Sequence, residues 1–133
     1  MGHEVVNPQS MAPAVGFSHS VVAGPGRAVF LGGQTAQEPD GSIVGESLVD
    51  QVDRAAANLA TVLDACGACP EHLTQLTVYT TDMPAYRASL RDLGRAYQRH
   101  LGKHYPAMAL FGVAALFDPA ALVELVGVAV VPD

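Results

Sequence analysis

"ALVELVGVAVV" (residues 121–131) is a valine-rich apolar run broken once, by the carboxylate of Glu124. Such a short apolar run, with Asp118-Pro119 just upstream, reads as a β-strand. The run before it, "AMALFGVAAL" (residues 107–116), is apolar at odd and even positions alike. Met108, Leu110 and Ala114 fall on one face, and Phe111, Val113 and Ala115 on the other. Hydrophobicity on both sides belongs to strands that are covered on both faces. These two strands, joined by a turn at Phe117-Asp118-Pro119, therefore belong to a sheet that needs cover on each side.

Upstream elements supply one of those covers. "SLVDQVDRAAANLATVLDACG" (residues 47–67) spaces Leu48, Val52, Ala55, Ala56, Leu59, Val62 and Leu63 three and four residues apart, with Ser47 as N-cap and Gly67 as the stop. "LTQLTVYT" (residues 73–80) has the composition of a strand. A second helix starts near Pro84 under an Asp82 cap, with Tyr86, Leu90, Leu93, Tyr97 and Leu101 as its apolar stripe. Nearer the N-terminus, "SVVAG" and "RAVFLGG" read as a hairpin around Gly24-Pro25-Gly26, and a turn follows in "EPDGSIVG". The order of two or three strands, helix, strand, helix and two strands predicts an α+β fold, a mixed β-sheet covered on one face by two helices. Residues 1–133 are expected to form one domain, and the bare sheet face is expected to meet further copies of the chain.

Composition narrows the function. Half of the residues are hydrophobic and 15% are charged, a large apolar share for a small monomer. Seven basic against thirteen acidic side chains leave a net charge of −6, which counts against a nucleic-acid partner. Arg87, Arg91, Arg95, Arg99 and Lys103 recur every four residues and read as a solvated helix face. No stretch has the pattern of a leader or a membrane span, so a soluble cytoplasmic protein without a membrane partner is expected. Cys66 and Cys69 form a CxxC that follows a helix instead of opening one, and zinc would need two more ligands; neither redox chemistry nor a metal site is expected there.

Glu124 admits two readings. It is a glutamate that snorkels to solvent or pairs with a neighbouring arginine, or it is an acid that handles a proton or positions a water in a cleft. Periodicity does not choose between them. The strings "MAPAVGFSHSVV", "VFLGGQTAQEPDGSIVG", "DQVDRAAANLATVLDACG", "LTVYTTDMPAY", "YPAMAL" and "VELVGVAVV", in this order over nearly the whole chain, resemble the Rid (YjgF) family. The resemblance implies a chorismate-mutase-like fold and a homotrimer with its sheets facing a central barrel. It also implies hydrolysis of enamines and imines to ammonia and a 2-keto acid, without a cofactor, at sites between subunits. In that pattern an arginine after "PA" holds the substrate carboxylate, and a glutamate in the last strand works with an ordered water. Glu124 matches the glutamate.

The arginine is absent, because the chain reads Pro106-Ala107-Met108. A thioether cannot form the bidentate grip of a guanidinium on a carboxylate, and losing such a pair costs about 2–5 kcal/mol of binding. Further departures run the same way: Phe17 stands for a tyrosine, Gly32 for a serine, Leu90 for an asparagine and Leu110 for a frequent cysteine, while Gly33 and Gln34 remain. The expected function is a Rid-type hydrolase or deaminase for an enamine or imine more apolar than 2-iminopropanoate. Glu124 would be catalytic, backbone N–H groups near Ala109 and Gly33 would polarise the substrate, and Phe17, Leu90, Met108 and Leu110 would form the walls. His19, Lys103 or His104 could replace the missing cation. The alternative is a trimeric module that binds a small hydrophobic ligand or a protein partner without turnover. A ribonuclease reading is disfavoured by the net charge.

Overall fold

The computed structural model describes residues 2–133. The helical segments begin where local chemistry dictates. In α1 (Leu48–Ala65) the Ser47 side-chain oxygen accepts a hydrogen bond from the Asp50 N–H at 3.1 Å, and Gly67 takes a left-handed φ of 72° just past the end. Asp82 caps α2 (Met83–Ala88) in the same way, accepting from the Ala85 N–H at 3.0 Å. Satisfying these otherwise orphaned amides fixes where each helix starts.

The main sheet has the order β3-β6-β4-β5, formed by β3 (Gly26–Gln34), β6 (Val123–Pro132), β4 (Leu73–Thr80) and β5 (Ala107–Gly112). β6 runs antiparallel to both neighbours, while β4 and β5 are parallel and are joined through α2 and α3 (Leu90–Leu101). Along β6 every second residue is buried: Val123, Leu125, Gly127, Ala129 and Val131. Together with Leu31, Leu76 and Val78 they meet the α1 stripe of Val52, Ala56, Leu59 and Leu63 and the α3 residues Leu93, Ala96 and Leu101. The alternate set on β6 is Glu124, Val126, Val128 and Val130, which look out from the bare face. The α+β architecture with helices on one face is thus as expected. Among the described residues no helix is long and apolar enough to cross a membrane.

Three expectations fail, each for a non-local reason. The hairpin around Gly24-Pro25-Gly26 does not form. β2 (Ser20–Val22) pairs instead with β1 (Glu4–Val6) in a separate two-stranded sheet, and β3 pairs with β6 from Gly26 opposite Pro132 to Gln34 opposite Leu125. The strand expected over residues 107–116 ends at Gly112, because its partner β4 ends opposite it at Thr80. Ala114 and Ala115 accordingly lie in a loop. The second helix breaks at Ser89 into α2 and α3, which leaves Leu90 at the start of α3 and 62% exposed rather than in the buried stripe.

One buried polar side chain joins the layers. The Gln51 amide in α1 donates to the carbonyls of Gly45 (3.1 Å) and Ala120 (3.0 Å), and its oxygen accepts from the Leu122 N–H at 2.8 Å. Gln51 is 3% exposed, so its amide relies on these three bonds, which fix the start of β6 against α1.

Candidate ligand site

Between β5 and the helices lies a cavity of about 440 Å³. This falls in the range of small-molecule pockets, roughly 300–1,000 Å³. Parity places Met108 in it. In the parallel β4–β5 ladder Met108 lies opposite Leu76 and Leu110 opposite Val78, both of which point to the helix layer, so Met108 and Leu110 point there too. The segment before β2 closes one side. The buried Ser18 donates from its N–H to Pro106 (3.0 Å) and from its hydroxyl to the Tyr105 carbonyl (2.5 Å), which seats Val15, Gly16 and Phe17 on the cavity rim. The lining holds no charged side chain.

Of the sequence candidates, Phe17, Leu90, Met108, Ala109 and Leu110 all line this cavity. Glu124 does not. It stands opposite Tyr79 on β4, and Tyr79 in turn stands opposite Phe111 on β5, the two rings stacked at 5.9 Å on the bare face. Glu124 and Met108 therefore project from opposite faces of the sheet, on strands two positions apart, roughly 10 Å at the usual strand spacing. Gly33 belongs with the acid: a Cβ built on it would fall 1.8 Å from Glu124 Oε2, so the carboxylate folds down over a residue without a side chain. The pairing of β3 with β6 shifts register between Leu31 and Gln34, a bulge that Gly32 and Gly33 accommodate. Gln34 joins neither group; its amide donates to the Gly32 carbonyl at 3.2 Å, beside a smaller hollow that Arg54 and Glu38 flank.

None of the substitute cations lines the cavity. The His19 ring bonds the Ala12 carbonyl at 2.8 Å and meets Phe17 edge-on, and the His104 ring bonds the Leu73 carbonyl at 2.8 Å. Lys103 is exposed. At the CxxC, burial first and then the Glu71 side chain push the Cys69 thiol upward, away from the thiolate that reactivity requires.

Sequence reading missed the tyrosines. Tyr86, Tyr97 and Tyr105 line the cavity, although periodicity gave Tyr86 and Tyr97 a packing role only. Tyr97 and Tyr105 stack at 5.3 Å; the Tyr97 hydroxyl donates to the His104 carbonyl at 2.6 Å, and Gln98 donates to the Tyr105 hydroxyl at 2.7 Å. Burial holds the Tyr97 phenol well above its usual value, with Tyr105 adding to the shift, so it remains a neutral donor. Phenols on an apolar stripe were the available signal, since a buried tyrosine carries a polar tip that needs a partner.

The fold is that of the Rid proteins. The structure of YyfB from Yersinia pestis, described as a protein of unknown function of the conserved Rid family, superposes with a TM-score of 0.88 at 32% identity, over 98% of this chain and all of that one. A family model described as endoribonuclease L-PSP matches residues 7–131, and the chain belongs to that family. Among curated relatives, protein HMF1 of Saccharomyces cerevisiae is 26% identical over 79% of this chain and 78% of its own. A RutC family protein of Pyrococcus abyssi is 25% identical over 87% and 88%.

Proposed function

We propose that this protein hydrolyses an uncharged, apolar imine or enamine, working as a homotrimer in which the Glu124 face of one copy closes over the cavity of the next. The observation that carries this reading is the lining: the residues around Met108 offer no positive group to an anionic substrate and a continuous apolar wall to a neutral one. A single chain cannot bring its own acid to that cavity across the sheet, whereas a second copy can. The bare face supports such an assembly, because Phe30 and Phe111, 79% and 50% exposed, share it with Glu124, Tyr79 and the β6 valines as an apolar surface that needs cover.

In the proposed reaction, water adds to the C=N carbon while Glu124 accepts its proton. The same proton passes to the nitrogen, and collapse of the carbinolamine releases ammonia and a carbonyl compound. Backbone N–H groups near Ala109 of one copy and Gly33 of the next would polarise the substrate. Ammonia release from imines generated in situ tests the reading: neutral apolar imines turn over faster than 2-iminopropanoate, and Glu124→Ala lowers the rate by on the order of 10²- to 10⁴-fold. No release from any neutral imine contradicts it. Gly33→Ala separates position from presence, since the new methyl displaces the flexible end of Glu124 and leaves the backbone in place. Its expected result is an unchanged melting temperature with activity lowered roughly 10²-fold.

A second reading, binding without turnover, is favoured by the separation of Glu124 from the cavity within one chain. Tight binding of a neutral probe with no ammonia release selects it. The endoribonuclease description of the family draws no support from this chain, whose net charge is −6 and whose cavity is uncharged.

A further inference from the structure

The cavity walls contain three phenol groups, and two of them are engaged. Tyr97 gives its proton to the His104 carbonyl, and Tyr105 accepts from Gln98 on the exposed side. Tyr86, on α2 beside Leu90, lines the same cavity, and its hydroxyl has no partner among the described residues. Tyr105 keeps its own proton, but its hydroxyl is already held by Gln98 on the exposed side; Tyr86 is the half-buried phenol whose whole polar tip is free to orient a guest, the rest of the walls apart from these phenols being carbon and sulfur. The same cavity has open space. Gly94, in the middle of α3, also lines the cavity, and a Cβ built there meets nothing within 4 Å.

Resting on the reading of the cavity as the ligand site, we infer that Tyr86 is its specificity-determining residue and that the ligand is a neutral apolar molecule with one hydrogen-bond acceptor, a carbonyl or imine group, presented to the Tyr86 hydroxyl. The acceptor requirement follows from the donor. Burial raises the Tyr86 phenol above its usual value, so it remains protonated at neutral pH and offers a proton rather than a charge. An anionic acceptor finds no compensating cation in the walls and is disfavoured, whereas a purely hydrocarbon guest leaves the phenol unpaired. The group that would be hydrolysed, a C=N, is itself such an acceptor. Tyr86 thereby holds the reacting end of the molecule and the apolar walls hold its body.

Three probes of similar size separate these requirements: acetophenone, ethylbenzene and benzoate, titrated by ligand-observed NMR against the full chain. Acetophenone binds about 3- to 10-fold tighter than ethylbenzene, the worth of one ordinary hydrogen bond. Tyr86→Phe, which removes a single oxygen, abolishes that preference while ethylbenzene binding is unchanged. Gly94→Leu fills the open space and weakens both neutral probes at least tenfold; it also puts a better helix former at Gly94, which favours folding. A preference that survives Tyr86→Phe overturns the role of Tyr86, and neutral binding that survives Gly94→Leu overturns the cavity as the ligand site. Benzoate binding as tightly as acetophenone overturns the neutral cavity itself, and so does the absence of neutral binding to the wild type.

Discussion

Met108→Arg is expected to reverse the cavity's choice between a neutral guest and an anionic one. Met108 sits among Phe17, Leu90 and Leu110 on the helix side of β5, and no lining side chain carries a charge. A guanidinium placed there lacks a counter-ion, and the folded protein is expected to lose about 2–4 kcal/mol through its desolvation. Benzoate supplies the missing partner. Its affinity rises by roughly 30-fold or more, the lower end of what a desolvated charged pair contributes, and its addition restores part of the lost melting temperature. Acetophenone gains nothing. Thermal melts of wild type and Met108→Arg with each probe check the result, and a variant that ignores benzoate would show that Met108 lies outside the ligand's reach.

Gln51→Leu carries the largest expected stability loss. The substitution keeps the side chain's bulk and removes three hydrogen bonds together, to Gly45, Ala120 and Leu122. The Leu122 N–H and the carbonyls of Gly45 and Ala120 then lose their partner, and at about 1–3 kcal/mol for each such group, toward the low end for the two carbonyls because Gly45 and Ala120 are exposed, the loss is on the order of 3–5 kcal/mol. The damage has a place as well as a size. Gln51 holds the segment Ala120–Leu122 immediately before β6, so the start of the strand that presents Glu124 loosens first. Denaturant midpoints at one fixed protomer concentration measure the effect, since association adds its own stability. A loss below 1 kcal/mol would mean that water replaces the amide.

How much was legible in the sequence depends on how local the determining interaction is. The caps at Ser47 and Asp82 and the α1 stripe involve neighbours within a few residues, and they formed as read. The partner of β3 is β6, almost the full chain away, and nothing in "RAVFLGG" distinguishes that pairing from a hairpin with β2. The end of β5 at Gly112 is imposed by the length of β4. The same limit applies to the site. Which residues line the cavity was readable for Phe17, Leu90, Met108, Ala109 and Leu110. Which face Glu124 takes was not, because it depends on two registers that both run through β4, Leu76 with Met108 and Tyr79 with Glu124. A one-residue slip in either would have put acid and thioether on the same side.

In the proposed reading the active unit is a pair of copies, and subunit complementation tests it most directly. Gly94→Leu blocks the cavity and Glu124→Ala removes the acid, so at low imine concentration each variant alone is nearly silent, at most about a tenth as active as the wild type. Unfolded together in equal amounts and refolded, they form mixed assemblies in which about a quarter of the sites combine an open cavity from one chain with an intact acid from the next. Activity recovered to about that fraction of wild type is the expected result. A mixture as silent as its two components, under conditions where the wild type regains its activity, would place cavity and acid in the same chain and contradict the shared site.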